Sequence, residues 1–345
     1  VGKGVSLSVK SPLAVILGVS GTELTPNEIA FLREVDPFGF ILFARNIDTP
    51  DQVRALTDGL RAAGGRPDAP ILIDQEGGRV QRLRPPHWPD RPPAEIFGAL
   101  YGRDVRKARA AVTLHARLIA HDLRQLGIDT DCLPVLDVRQ QGAHDIIGDR
   151  AFSDEPGVVG PLGQAVVAGL LSGGVYPVIK HIPGHGRSHA DSHEDLPVVD
   201  TDLETLIGHD IPPFQAVADA PFAMTAHIVY SAIDPTQPAT LSAKVIGEVI
   251  RGVCGFQGLL MTDDLSMKAL TGPMEDRTRR SLAAGCDLVL HCNGDMVEME
   301  GVVRAARPLD LEGLQRWQRA KGQLSPPDPA YDPRADEEAL AEYLS

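Results

Sequence analysis

Between Lys180 and Pro197 the chain reads KHIPGHGRSHADSHEDLP, the densest collection of titratable side chains in the protein. Lys180, four histidines (His181, His185, His189 and His193) and the acids Asp191, Glu194 and Asp195 fall in one short segment. The histidines recur every four residues, the spacing that lines up metal ligands on a helix. Pro183, Gly184 and Gly186 oppose a helix there, so a loop without a metal is expected. Asp191 and His193 flank the small Ser192; a carboxylate beside an imidazole fixes its tautomer and raises its proton affinity, which suits a general acid/base near neutral pH. A loop histidine satisfied by a local aspartate is the bland alternative, and this pair by itself does not decide between them.

Other candidates sit where apolar runs end. Asp74 opens DQEGGRVQR, in which Gly77 and Gly78 allow a close turn and Arg79 and Arg82 supply rigid cationic forks. A carboxylate and an arginine there could grip a polar ligand or simply pair with each other. Asp263 and Asp264 close MTDDLSM; neighbouring strand residues face opposite sides, so one carboxylate is expected to face a pocket and the other to cap the turn. A carboxylate at the end of a buried strand is a natural nucleophile.

The elements that must position these groups are short, nearly continuous apolar runs: Leu13–Val19, Gly39–Phe43, Ile71–Asp74, Cys132–Val138, Val175–Lys180, Phe222–Ala226, Gly258–Thr262 and Asp287–His291. Runs without alternation suit parallel strands covered on both faces. Helical patterns lie between them: Pro50–Ala62 behind a Thr49 cap, Arg103–Leu126, Pro156–Ser172, Ser242–Val253, and Met274–Ala284 ending at Gly285. This predicts an α/β fold, a single-domain (β/α)8 TIM barrel with a short C-terminal helical and Pro-rich appendage. A doubly wound sheet is disfavoured because no G-x-G-x-x-G follows the first strand. The expected organisation is an N-terminal extension over 1–12 without fixed structure, a catalytic barrel over 13–307, and an appendage over 308–345 with an outlying helix at Asp310–Leu324. Barrel active sites lie at the C-terminal strand ends. Here those ends carry Asp74, Asp137, Lys180 with His181, His227, Asp263 with Asp264, and His291 with Asn293.

Composition narrows the function. The 345 residues are 43% hydrophobic and 23% charged, ordinary for a globular protein, with a net charge of −14. Such an acidic chain lacks the basic face that nucleic acid or an anionic membrane surface requires. No apolar run approaches the roughly 18 residues of a membrane span. Four scattered cysteines without a C-x-x-C pair argue for a reducing compartment. A cytoplasmic monomer is expected.

Taken together, GFILFARNI (39–47), DQEGGRVQR (74–82), GDRAFSD (148–154), KHIPGHG with DSHEDLP (180–197), MTAHIVY (224–230) and MTDDLSM (261–267) resemble glycoside hydrolase family 3. The KH-x-PGHG…DSH combination is most similar to its single-domain bacterial β-N-acetylglucosaminidases of peptidoglycan recycling. The resemblance spans about residues 13 to 293 and implies a retaining hydrolase without a cofactor. It makes Asp263 the nucleophile and His193, assisted by Asp191, the acid/base on a loop hinged at Gly184 and Gly186 that closes over substrate. Asp74, Arg82, Arg150, Lys180 and His181 would then hold a terminal N-acetylglucosamine of a muropeptide. A phosphorylase, a β-glucosidase of the same family and a sugar-binding barrel remain the alternatives at this stage.

Overall fold

Runs of apolar residues that do not alternate must be covered on both faces, and closure into a cylinder does this without leaving an edge. The computed structural model describes residues 11–140, 142, 145–188, 196–326 and 328–345. It forms a closed parallel barrel of eight strands: β1 (Leu13–Gly18), β2 (Pro37–Leu42), β3 (Ile71–Ile73), β4 (Thr130–Asp131), β5 (Tyr176–Ile182), β6 (Phe222–Thr225), β7 (Leu259–Asp264) and β8 (Leu288–His291). The ring closes between β8 and β1, with Ile16 opposite Leu290 on one side and Gly39 on the other. β2 and β5 are buried throughout.

The helices are α1 (Pro26–Val35), α2 (Pro50–Gly64), α3 (Ala94–Tyr101), α4 (Val105–Arg124), α5 (Pro156–Ser172), the wide-turned α6 (Val245–Val253), α7 (Met274–Ala284), α8 (Met296–Ala305), α9 (Leu311–Lys321) and α10 (Pro333–Leu344). Several caps act as their residue types dictate. Thr49 accepts from the Gln52 amide ahead of Pro50, and Gly285 leaves α7 in the left-handed region at φ 116°. The sequence reading passes over α1, α3 and α8. α1 is signalled by its cap rather than its periodicity: Thr25 and Glu28 form a reciprocal capping box.

One strand differs from expectation. The fourth run was placed at Cys132–Val138, but the paired strand is Thr130–Asp131, in register with Leu72 and Ile73 on one side and Tyr176 and Pro177 on the other. Beyond it, Pro134 has no amide to donate, and only an isolated bridge between Val135 and Lys180 continues the ladder. Two polar residues carry the pairing, so an apolar-run reading starts too late.

The segment expected as an outlying helix is α9, and its Trp317 is 4% exposed. The indole sits 5.2 Å from the Phe38 ring, 5.4 Å from Tyr176 and 6.0 Å from Phe222, measured between centroids. Those three residues begin β2, β5 and β6, so α9 plugs the N-terminal end of the barrel. α10 packs along α4, with Asp336 3.3 Å from Arg117 and Leu340 buried. All four cysteines are buried and free. Among the described residues no helix is long and apolar enough to cross a membrane.

Trp317→Ala should lower the unfolding free energy by about 3 kcal/mol, the cost of emptying a packed aromatic site. Its KM should stay at the wild-type value, because the plug lies at the end of the barrel opposite the polar strand ends. Urea unfolding and steady-state assays would check both.

Candidate active site

Asp74 directly follows β3, where the chain turns into a small antiparallel hairpin, Gln75–Gly77 against Val80–Gln81. The tip needs glycine: Gly77 and Gly78 have φ of 92° and 58°, and a Cβ on Gly77 would lie 2.3 Å from the Pro92 carbonyl oxygen. Gln75 fixes the hairpin from within. Its Oε1 accepts from the amides of Arg82 (2.9 Å) and Leu83 (3.0 Å), which returns Arg82 to the strand end it left. The Arg82 guanidinium donates to Asp74 Oδ2 at 3.0 Å and lies over the Phe43 ring.

Lys180, on β5, reaches the other side of Asp74. Its Nζ is 2.9 Å from Asp74 Oδ1 and 2.6 Å from Glu76 Oε1. Arg150 comes from the short turn Gly148–Arg150 and grips Glu76 with both arms, Nε to Oε2 and Nη2 to Oε1, each at 2.8 Å. The result is a buried alternation of charge: Arg82, Asp74, Lys180, Glu76, Arg150.

Burial by itself would push both carboxyls up. Lys180 and then Arg82 outweigh it at Asp74, while Arg150 and then Lys180 do so at Glu76, so both are held below the usual carboxylate range. Burial works the other way on Lys180, and Asp74 and Glu76 overcome it, so the ammonium is held above its usual value. All three are charged at neutral pH.

His181 follows Lys180 across a cis peptide. Its Nδ1 lies 2.7 Å from Asp137 Oδ2, while its own amide and that of His185 donate to Asp137 Oδ1 at 3.2 and 2.7 Å. With Nδ1 donating to the carboxylate, Nε2 is the ring nitrogen left for the pocket. Asp137 is fully buried; burial raises its carboxyl, but His181 and its hydrogen bonds bring it down to about 2. His185 is driven to about 4, by burial first and then by His181.

Asp263 and Asp264 end β7. Asp263 Oδ1 accepts from the Asp264 amide at 2.8 Å. Asp264 takes the capping part expected of one member of the pair: it accepts from the Ser266 amide (3.0 Å), the Ser266 hydroxyl (2.5 Å) and the Cys292 amide (3.1 Å). His227 braces this end from behind, with Nε2 3.0 Å from the Asp264 carbonyl oxygen and Nδ1 2.7 Å from Thr240 Oγ1.

Asp74, Glu76, Arg82, Arg150, Lys180, His181 and Asp263 line one pocket of about 210 Å³, walled by Phe43, Met224 and Leu290. A wider hollow of about 490 Å³ lies between α4, α5 and the tail, near Arg117 and Tyr331, but it gathers no carboxylate–cation chain. Residues singled out in the sequence therefore meet here: Asp74, Arg82, Arg150, Lys180, His181 and Asp263, with Asp264 also on the lining, where only one aspartate of that pair was expected. Asp137 and His227 stand behind the pocket, and His291 and Asn293 turn to Glu298 instead. Arg79 is held at the pocket rim by Asp149. Asp191, His193 and the second half of the proposed moving loop, 189–193, lie outside the described residues. Sequence reasoning missed Glu76. Its signal was its position two residues after Asp74, on the same side of an extended chain.

A parallel barrel with a carboxylate–cation pocket at the C-terminal strand ends is a barrel-enzyme scaffold, one that glycoside hydrolases share with other enzymes. The profile of the "Glycosyl hydrolase family 3 N terminal domain" matches residues 25–318, and the chain belongs to that family. It is 40% identical over 340 residues to a β-hexosaminidase of Alkalilimnicola ehrlichii, covering 92% of this chain and 97% of that one. A β-hexosaminidase of Stenotrophomonas maltophilia is likewise 40% identical, over 82% of this chain and 84% of its own. Among solved structures, NagZ from Neisseria gonorrhoeae in complex with N-trifluoroacetyl-D-glucosamine superposes with a TM-score of 0.86 at 31% identity, over 97% of this chain and 99% of that one. The activity is that of a glycoside hydrolase, a β-N-acetylhexosaminidase.

The depressed Asp137 carboxyl carries a pH consequence. A group whose pKa falls on folding contributes stability that is complete above its unfolded value, here 3.8, and is lost as pH drops toward about 2. Asp137→Asn should remove a contribution on the order of 2 kcal/mol at neutral pH and make stability fall less steeply between those two values. Unfolding titrations at a series of pH values would test this; parallel acid limbs in variant and wild type would refute it.

Proposed function

We propose that the chain is a retaining exo-β-N-acetylglucosaminidase that removes terminal β-linked N-acetylglucosamine from peptidoglycan fragments, N-acetylglucosaminyl-anhydromuramoyl peptides among them. The observation that carries the reading is the position of Asp263: a carboxylate at the end of β7 lines the same pocket as Asp74, Arg82, Arg150, Lys180 and His181. Small volume and dense polar lining suit one sugar ring, and the Neisseria relative was solved with an N-acylated glucosamine.

In this mechanism Asp74 accepts from sugar hydroxyls. Arg82, Arg150 and Lys180 donate to hydroxyl or acetamido oxygens, and His181 offers its Nε2. The Asp263 carboxylate attacks the anomeric carbon as the glycosidic bond breaks, forming a glycosyl ester. His193, paired with Asp191, gives its proton to the departing oxygen. It then takes one from the water that cleaves the ester, with retention at the anomeric centre. A carboxylate pair in retaining enzymes stands about 5–5.5 Å apart, and a histidine carried on a loop meets the same demand by closing over bound sugar. The catalytic unit is residues 13–307, with 308–345 an appendage packed against it. A cytoplasmic monomer that recycles cell-wall fragments completes the reading.

A 5-fluoro-N-acetylglucosaminyl fluoride, which keeps the 2-acetamido group, should label Asp263, seen as a glycosylated peptide by mass spectrometry. Asp263→Asn should lower kcat by roughly 10⁴-fold or more while N-acetylglucosamine still binds. Turnover at the wild-type rate, or label on another residue, would sink the nucleophile assignment. N-acetylglucosamine must remain the product in phosphate buffer; its 1-phosphate would instead identify a phosphorylase. Rates on anhydro-muropeptides against chitobiose and simple glucosides would test the substrate class.

A further inference from the structure

Two like charges stand side by side at the back of this pocket. Lys180 is 2% exposed, and Arg150 lies close enough for its charge to oppose protonation of Lys180. Both cations face the space assigned to the sugar. Left alone, they would repel each other, and each long side chain would have several rotamers to choose from.

The group between them is Glu76. Its side chain is 4% exposed. One oxygen is shared between Lys180 Nζ at 2.6 Å and Arg150 Nη2 at 2.8 Å; the other takes Arg150 Nε at 2.8 Å. The bidentate grip sets the plane of the guanidinium, whose Nη1 is tied to the Ile146 carbonyl oxygen at 3.2 Å. An ammonium has three donors. One of those on Lys180 goes to Asp74 Oδ1 at 2.9 Å, and Glu76 Oε1 stands in ion-pair contact with the same ammonium, which fixes where it sits. The far side of Glu76 is a wall of Phe97, Leu133, Phe152 and Val166 around a small cavity, so the carboxylate has no bulk water to turn to. Its backbone is equally fixed, one residue ahead of Gly77 at φ 92°.

We infer that Glu76 is a positioning residue for the hydrolysis, holding Arg150 and Lys180 in the arrangement in which they grip the N-acetylglucosaminyl ring. The inference rests on the sugar-binding role proposed for those two cations and adds what sets their geometry. Glu76 need not touch the sugar; its two oxygens are already committed. A structural ion pair that merely anchors the turn at Gly148–Arg150 would affect melting but not the affinity of a folded variant for the sugar.

The test uses the full-length protein with Glu76→Gln, Glu76→Asp, Arg150→Ala, Lys180→Ala and the double variant Glu76→Gln/Arg150→Ala. Calorimetry gives Kd for N-acetylglucosamine, and steady-state assays give kcat and KM on an aryl N-acetylglucosaminide. Glu76→Gln should weaken Kd and raise KM by roughly 10- to 100-fold, the scale of a lost hydrogen bond to a charged group, with a much smaller change in kcat. Glu76→Asp, which keeps the charge on a shorter arm, should recover part of that loss. The double variant should lose less than the product of the two single losses, because the Glu76–Arg150 contact is common to both changes while the Lys180 contact is broken by only one. A folded Glu76→Gln protein with wild-type Kd and KM overturns the inference, as do losses that multiply in the double variant. Should the glutamine variant not fold, Glu76→Asp decides: weakened binding at a retained melting temperature supports the inference, and unchanged binding overturns it. Wild-type binding by both Arg150→Ala and Lys180→Ala would overturn the site reading itself and the inference with it. Weakened binding by those two alone would overturn only the inference.

Discussion

The ion cluster centred on Lys180 is the constraint around which the catalytic face is built. A buried ammonium is costly unless it is paired and hydrogen-bonded. Here it is paired twice, to Asp74 and Glu76, and each of those carboxylates is neutralised again by an arginine. The five groups come from the end of β3, the hairpin after it, the turn after β4 and the body of β5. Asp74, Glu76 and Arg82 are close in sequence, but Arg150 and Lys180 are not, so the closed barrel is needed to bring those two cations onto the carboxylates. The charges add to the hydrogen bonds that already hold the hairpin and the Gly148–Arg150 turn.

The same logic governs the histidines. His181 is held on the strand end by a fully buried aspartate that also collects two backbone amides. The imidazole is therefore preset at the pocket wall. Buried, fully satisfied polar groups of this kind are rigid, and rigidity is what a binding subsite needs.

β7 shows how two chemically identical neighbours acquire different tasks. Asp264 is occupied by Ser266 and Cys292, and His227 grips its carbonyl. These contacts pin the strand end so that the Asp263 carboxylate is delivered to the pocket next to the cations. Both line the pocket, but the loop after β8 gives Asp264 a structural partner.

Much of this was written locally. The apolar runs gave seven of the barrel strands near their observed places, since a strand buried on both faces has no polar positions to interrupt its pattern. Asp74, Lys180, His181 and Asp263 were legible because side chains at strand ends need only the barrel's direction to converge; Arg82 was marked by its Gly-rich segment, and Arg150, in a turn away from any strand end, only by the family resemblance. What was not legible depended on partners far along the chain. β4 is carried by Thr130 and Asp131, whose burial is decided by the neighbouring β3 and β5. α9 looked peripheral until three aromatic strand starts surrounded Trp317. Glu76 was passed over, and only the fold brings Arg150, seventy-four residues away, onto its carboxylate. The sequence by itself determined the barrel and which side chains face its mouth, because periodicity and chain direction are local properties. The tertiary structure decided how those charges pair, because Coulomb compensation depends on distance in space and not on separation along the chain.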